Sequence, residues 1–263
     1  MRPRSPARIV LALLPLAVAA GCGGDAKPRV VLYTSVDAPY LVGLFDEFEK
    51  TTGIKVTTGS GSSQGTGPQT IGAQLARGVP TDVVILSREG LTDLIAANRI
   101  AAGTDVDLAR TPIGVAVRAG AAKPDVRTVE AFKQVVLKAK LVAVPSSTSG
   151  IFLRDEVFPR LGIADKVRFK LTPRGTDAAA MVASGEANIG LLPVSEIVHA
   201  AGVELAGVIA DEIQLNQIFA AAVVAGSKEL EAARRLIAFL ASERASGAIR
   251  SGGMEPLGKR RPE

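Results

Sequence analysis

At 263 residues and a formal charge of +5, the chain exceeds the usual single core of about 100 to 150 residues and suggests two lobes. One cysteine, one histidine and no tryptophan exclude a disulfide framework and a cysteine metal cluster, and leave little with which to stack nucleobases. No metal, cofactor or nucleic acid is expected.

Arg2, Arg4 and Arg8 precede an apolar run at 9–20 that stops at Ala19-Ala20-Gly21-Cys22. A basic start, a short apolar run and small residues read as an export signal, and the run is too short to span a bilayer. Small residues directly before a cysteine resemble the lipobox of bacterial lipoproteins. Residues 1–21 are therefore expected to be a lipoprotein signal peptide, Cys22 the lipidated first residue, and 22–28 a tether to the membrane. Loss of the three arginines lowers the formal charge from +5 to +2, so the excess of positive charge is partly an export signal.

Short β-rich runs then alternate with amphipathic helical runs, the pattern of an α/β protein with a mostly parallel sheet flanked by helices in each lobe. The first lobe starts with a strand at 30–34, a helix at 39–52 carrying Leu41, Leu44, Phe45 and Phe48 at helical spacing, and a strand at 54–58. The loop 59–67 leads to Pro68, a residue favoured at the first position of a helix, and a third strand and helix follow at 82–86 and 89–98. A second lobe opens with an extended run at 111–118. Helices at 128–139, 150–161, 177–184 and 195–201 alternate there with strands at 141–145, 167–173, 187–192 and 203–209. An extended run at 216–225 and a long helix at 229–249 close the fold. Lobe one thus takes 29–110 and 214–257, lobe two 111–213, and 258–263 is a tail.

Two stretches concentrate hydroxyls and glycines before a helix: the loop 59–67, with Ser60, Ser62 and Ser63, and Ser146-Ser147-Thr148-Ser149-Gly150 after a strand. Both lie at a strand's carboxyl end, where α/β proteins bind ligands. A helix start there offers unpaired amides and a positive dipole end to an anion. Ser35, Thr176 and Ser195 could complete the site, although Thr176 and Asp177 equally suit helix capping. No nucleophile elbow accompanies His199, and the loop 59–67 lacks the Gly-Lys-Ser/Thr ending of a nucleotide-binding loop.

The stretches 45–56, Gly78-Val-Pro-Thr-Asp-Val-Val-Ile, Ser184-Gly-Glu-Ala-Asn-Ile-Gly, 235–242 and Gly253-Met-Glu-Pro resemble, in order, segments of type 2 periplasmic solute-binding proteins, with the molybdate-binding branch the nearest likeness. The resemblance implies two lobes joined by two crossovers, a monomer that captures a small oxyanion or organic acid, and delivery to an ABC transporter permease. It places ligand contacts on Ser35, on one of Ser60, Ser62 or Ser63, on Ser147 to Gly150, and on Ser195. Residues 191–197 lack the tyrosine typical of molybdate receptors and look like a divergent subgroup that includes receptor-like aconitate isomerases. For a tricarboxylate, Arg154 and Arg174 are the candidate partners, because guanidinium pairs carboxylates bidentately. The leading expectation is a binding protein with no catalytic residue. The alternative is an exported isomerase with Glu196, Asp177 or His199 as its base.

Overall fold

The computed structural model describes residues 28–36 and 39–258; the expected signal peptide, Cys22 and almost all of its tether, and the tail from 259 lie outside the described residues. Eleven strands among them form two sheets. The first contains β1 (Arg29–Thr34), β2 (Lys55–Ser60), β3 (Val83–Ser87), β4 (Val106–Thr111), β10 (Gln217–Val223) and β11 (Glu255–Pro256), in the order β11-β4-β10-β3-β1-β2. The second contains β5 (Ile113–Arg118), β6 (Val142–Pro145), β7 (Phe169–Thr172), β8 (Ile189–Pro193) and β9 (Val203–Val208), in the order β7-β6-β8-β5-β9.

This is the two-lobed α/β architecture, but the sheets are mixed. β1 pairs in parallel with β2 and β3, and β6 with β7 and β8. The strands next to the crossovers, β10 and β5, are antiparallel to their neighbours. The chain leaves the first sheet at Thr111 and enters the second two residues later at Ile113, then returns after β9 through a 3₁₀ turn at Asp211–Ile213. A strand that resumes a sheet directly from the neighbouring lobe has no crossover helix to reverse it, so it runs against its neighbours.

Alternation along the strands shows why helices cover both faces. In β10, Phe219, Ala221 and Val223 join one core while Ala220 and Ala222 join the opposite one, as a period of two requires. The first face lies under α1 (Pro39–Thr52), α8 (Leu230–Leu240) and α9 (Glu243–Ser251), the second under α2 (Ile71–Ala76) and α3 (Arg88–Ala96). In the second lobe, Ile113, Val115, Phe132 and Val144 form one core with α4 (Val129–Lys138) and the helical run made of α5 (Thr148–Phe152), a π-turn at Leu153–Val157 and α6 (Phe158–Arg160). Ala116, Ala143, Val182 and Leu192 form the other beneath α7 (Gly175–Ser184).

Several expected elements differ. Helix α2 starts at Ile71, not at Pro68, because Thr70 is the cap and accepts the Ala73 N–H at 3.2 Å. The single helix expected at 229–249 breaks at Ser242, which is extended and donates to the Phe239 carbonyl at 2.6 Å. The helix expected at 195–201 is a 3₁₀ turn at Val194–Glu196. Strand β4 escapes sequence detection because Asp105, Asp107 and Arg110 interrupt its apolar pattern, and those charges pair with Arg88 and Glu255.

Thr111, fully buried at the hinge, connects three segments. Its hydroxyl donates to the Gly253 carbonyl at 3.1 Å and accepts the Ser195 N–H at 3.3 Å. Thr111→Val keeps the shape but strands both partners, so it is expected to lower unfolding stability by about 1–3 kcal/mol, measured as a lower denaturant midpoint with an unchanged slope.

Candidate functional site

The strands β1, β3, β6, β7 and β8 all point their carboxyl ends at the line where the lobes meet, and β10 starts there. Ser35, Ser62, Ser63, Ser147, Ser149, Arg174, Gly175, Glu196, Gln217 and Phe219 line a cavity of about 20 Å³ at that line, room for about one water. A groove of about 830 Å³ opens elsewhere, beside Arg29, Asp82, Arg99, Lys228 and Glu229, but it holds only the hydroxyls of Thr81 and Ser227, against five serines around the smaller cavity at the strands' carboxyl ends. Chemistry therefore favours the smaller space.

On the first lobe the hydroxyls form a relay. The Ser87 N–H donates to Ser63 Oγ at 2.8 Å, and Ser63 Oγ donates to Ser35 Oγ at 2.7 Å. A hydroxyl has one proton to give, so this ordering leaves the Ser35 proton for a ligand. Ser35 is itself fixed by its N–H on the Ile85 carbonyl at 2.8 Å.

Across the line, the lobes are held by polar contacts. Ser62 Oγ donates to the Pro173 carbonyl at 2.8 Å, Thr148 Oγ1 donates to Gln64 Oε1 at 3.0 Å and lies 2.7 Å from Ser87 Oγ, and the Gln64 N–H reaches Ser147 Oγ at 3.3 Å. Gly65, at φ +114°, has its Cα so close to the Ser146 carbonyl that a Cβ would stand 2.8 Å from that oxygen. Both the backbone sign and the close approach demand glycine there.

Helix α7 brings the charge. Glu196, following β8, lays its carboxylate against the first residue of that helix: a Cβ on Gly175 would overlap Glu196 Oε2. The positive end of the helix dipole favours an anion at this place. Asp177 accepts the Arg174 N–H at 3.1 Å as a cap and is exposed. His199 is exposed as well, with Nε2 donating to the Ser251 carbonyl at 2.9 Å across the lobes. Of the three candidate bases, Glu196 alone lines the cavity.

The structure thus brings together Ser35, Ser62, Ser63, Ser147, Ser149 and Arg174. Ser60 is exposed at the end of β2, where its carbonyl accepts from Gln74 Nε2. Thr148 turns to the opposite lobe, Gly150 is packed on the Pro145 carbonyl, and Thr176 is exposed. Ser195 is 3 % exposed, but its side chain does not line the cavity. Arg154 opens onto an outer groove and makes two hydrogen bonds of 2.6 Å to Asp155, holding that carboxyl below the usual carboxylate range. Gln217 and Phe219 were not signalled by the sequence, since the first residues of an apolar strand carry no mark of facing a cleft. Among the described residues no group of three or more His, Cys, Asp or Glu could hold a metal ion.

Comparison with known proteins adds a family and a relative that bears an enzyme's name. Residues 30–255 match the family model described as bacterial extracellular solute-binding protein. An aconitate isomerase of a Pseudomonas species is 36 % identical over 264 residues, 98 % of each chain. Among solved structures, the periplasmic molybdate-binding protein of Azotobacter vinelandii superposes with a TM-score of 0.69 at 20 % identity, over 90 % of this chain and 100 % of its own. The sulfate-binding protein of Mycobacterium tuberculosis gives 0.71 at 19 % identity, over 88 % of each. The chain accordingly shares the fold of these molybdate- and sulfate-binding proteins. The expectation of a protein without catalytic residues is overturned by the Pseudomonas relative, which is similar along its whole length and bears an enzyme's name.

Gly175→Ala tests the seat of the carboxylate. Alanine is the better helix former, and the overlapping atom is the end of a flexible side chain, so stability is expected to stay within about 1 kcal/mol of the parent while Glu196 is pushed from its place. A thermal melt together with a crystal structure of the variant reads both effects; an unmoved carboxylate would contradict this account.

Proposed function

The chain belongs to the bacterial extracellular solute-binding protein family, and from that premise we propose that it is an exported isomerase interconverting cis- and trans-aconitate in the cleft between its lobes. The observation that carries this reading is the presence of one carboxylate, Glu196, and one guanidinium, Arg174, in the same cavity lining as five serines. The similarity to an aconitate isomerase supports it.

The chemistry needs little else. The double bond of aconitate moves when a base takes a methylene proton next to a carboxylate. The C–H electron pair enters the allylic and carboxylate system, and the proton is returned to the carbon that had been vinylic. No oxidant or reductant is consumed. Glu196 is the group to take and return the proton, Arg174 pairs one substrate carboxylate, and the hydroxyls of Ser35, Ser147 and Ser149 hold the others. A tricarboxylate is far larger than the closed cavity, so the lobes separate for entry and close again around it, which excludes water from the proton transfer.

Glu196→Gln is expected to lower kcat about 10²–10⁴-fold while the thermal shift produced by trans-aconitate persists. Substrate at 100 times its dissociation constant adds about 2.7 kcal/mol of stability, so binding is read apart from turnover. Full activity in this variant would exclude Glu196 as the base.

A second reading, a receptor that hands a small anion to an ABC transporter permease, is favoured by the family and by the fold shared with molybdate- and sulfate-binding proteins. A parent protein stabilised by aconitate or molybdate but converting neither aconitate isomer would establish it over the first. The anchor belongs to either reading. Cys22→Ser is expected to abolish incorporation of labelled palmitate and release the protein from the membrane fraction; unchanged labelling would rule out Cys22 as the lipid-bearing residue.

A further inference from the structure

Gln217 opens β10 opposite Thr111 of β4, at the point where the chain comes back from the second lobe. It is 4 % exposed and lines the same cavity as Glu196 and Arg174. Its Oε1 is buried without a hydrogen-bond partner among the described residues. A buried amide atom left unsatisfied lowers stability, and such atoms call for a specific explanation. Turning the amide over places Nε2–H where Oε1 stands, so the side chain can donate from that spot. Because Gln217 and Glu196 line the same cavity, a substrate enclosed between the lobes faces both.

We infer that Gln217 is a catalytic residue of the isomerisation proposed above, on which this inference rests: its amide N–H holds the substrate carboxylate that gains negative charge as Glu196 removes the methylene proton. When the C–H bond breaks, its electron pair spreads onto the adjoining carboxylate, and the pair returns to carbon when the proton is delivered to the former vinylic position. Arg174 pairs a carboxylate whose charge stays the same throughout the reaction, and so binds the ground state and the transition state alike. A neutral donor fixed in a water-poor cavity strengthens as the oxygen it faces becomes more negative, and so acts on the barrier. Phe219, two residues on and on the same face of β10, gives the carbon skeleton an apolar wall.

Gln217→Leu removes the amide and keeps its bulk. Measured on trans-aconitate, kcat is expected to fall on the order of 10²-fold with KM within about threefold. The ligand-free Tm stays level or rises, because an unsatisfied polar atom is gone. Binding of tricarballylate, the saturated analogue that cannot isomerise, stays within threefold of the parent. Unchanged kcat, an equal loss of kcat and of tricarballylate affinity, or a Tm lowered by several degrees overturns the inference. Gln217→Glu, which sets a carboxylate against the growing charge, must also be impaired; parent-level activity overturns it too. A parent that does not interconvert the two acids refutes the proposed function itself, whereas an active parent with an active Gln217→Leu variant refutes only the role of Gln217.

Discussion

Thr148 of one lobe reaches Ser87 and Gln64 of the other, and Ser62 reaches back to the Pro173 carbonyl. These hydrogen bonds bridge the two sheets and help hold the cleft as a closed space. Each apolar core stays within its own lobe, so no large hydrophobic surface ties the lobes shut. A hydrogen bond exchanged with water contributes about 1 kcal/mol net, and a few of them make a closure that ligand can tip either way. This suits a fold whose work begins with separation of the lobes and ends with their return.

The same contacts decide what the cleft can do. Serine hydroxyls at the carboxyl ends of β1 and β6 make a receptor surface for anions, and such a surface alone binds without transforming. Glu196 changes that. Its carboxylate is seated against a residue with no side chain at the start of α7, where the helix dipole steadies its charge, and Arg174 stands in the same wall. A binding fold acquires proton-transfer chemistry when one carboxylate is brought into a cleft already shaped for carboxylates, with no change of architecture. On the proposed reading, the step from receptor to enzyme concerns one side chain and its seat, while the two-lobed scaffold expected from the sequence stands.

The sequence by itself determined the alternation of strands and helices, the two-lobed class, and the hydroxyl-rich turns at Ser62-Ser63 and Ser147 to Ser149. Periodicity and local composition write these directly into the chain. It could not determine that Ser62 faces the second lobe while Ser60 faces solvent, because that depends on where β2 ends. Nor could it show β4, whose charges look like a loop until Arg88 and Glu255 come from elsewhere to pair them. Glu196, Gly175 and Gln217 lie far apart in the chain and become neighbours only when β8, α7 and β10 converge at the crossovers. Local pattern specifies elements, but the meeting of residues from three of them is a property of tertiary packing, and only the tertiary structure decided which carboxylate and which amide share the cleft.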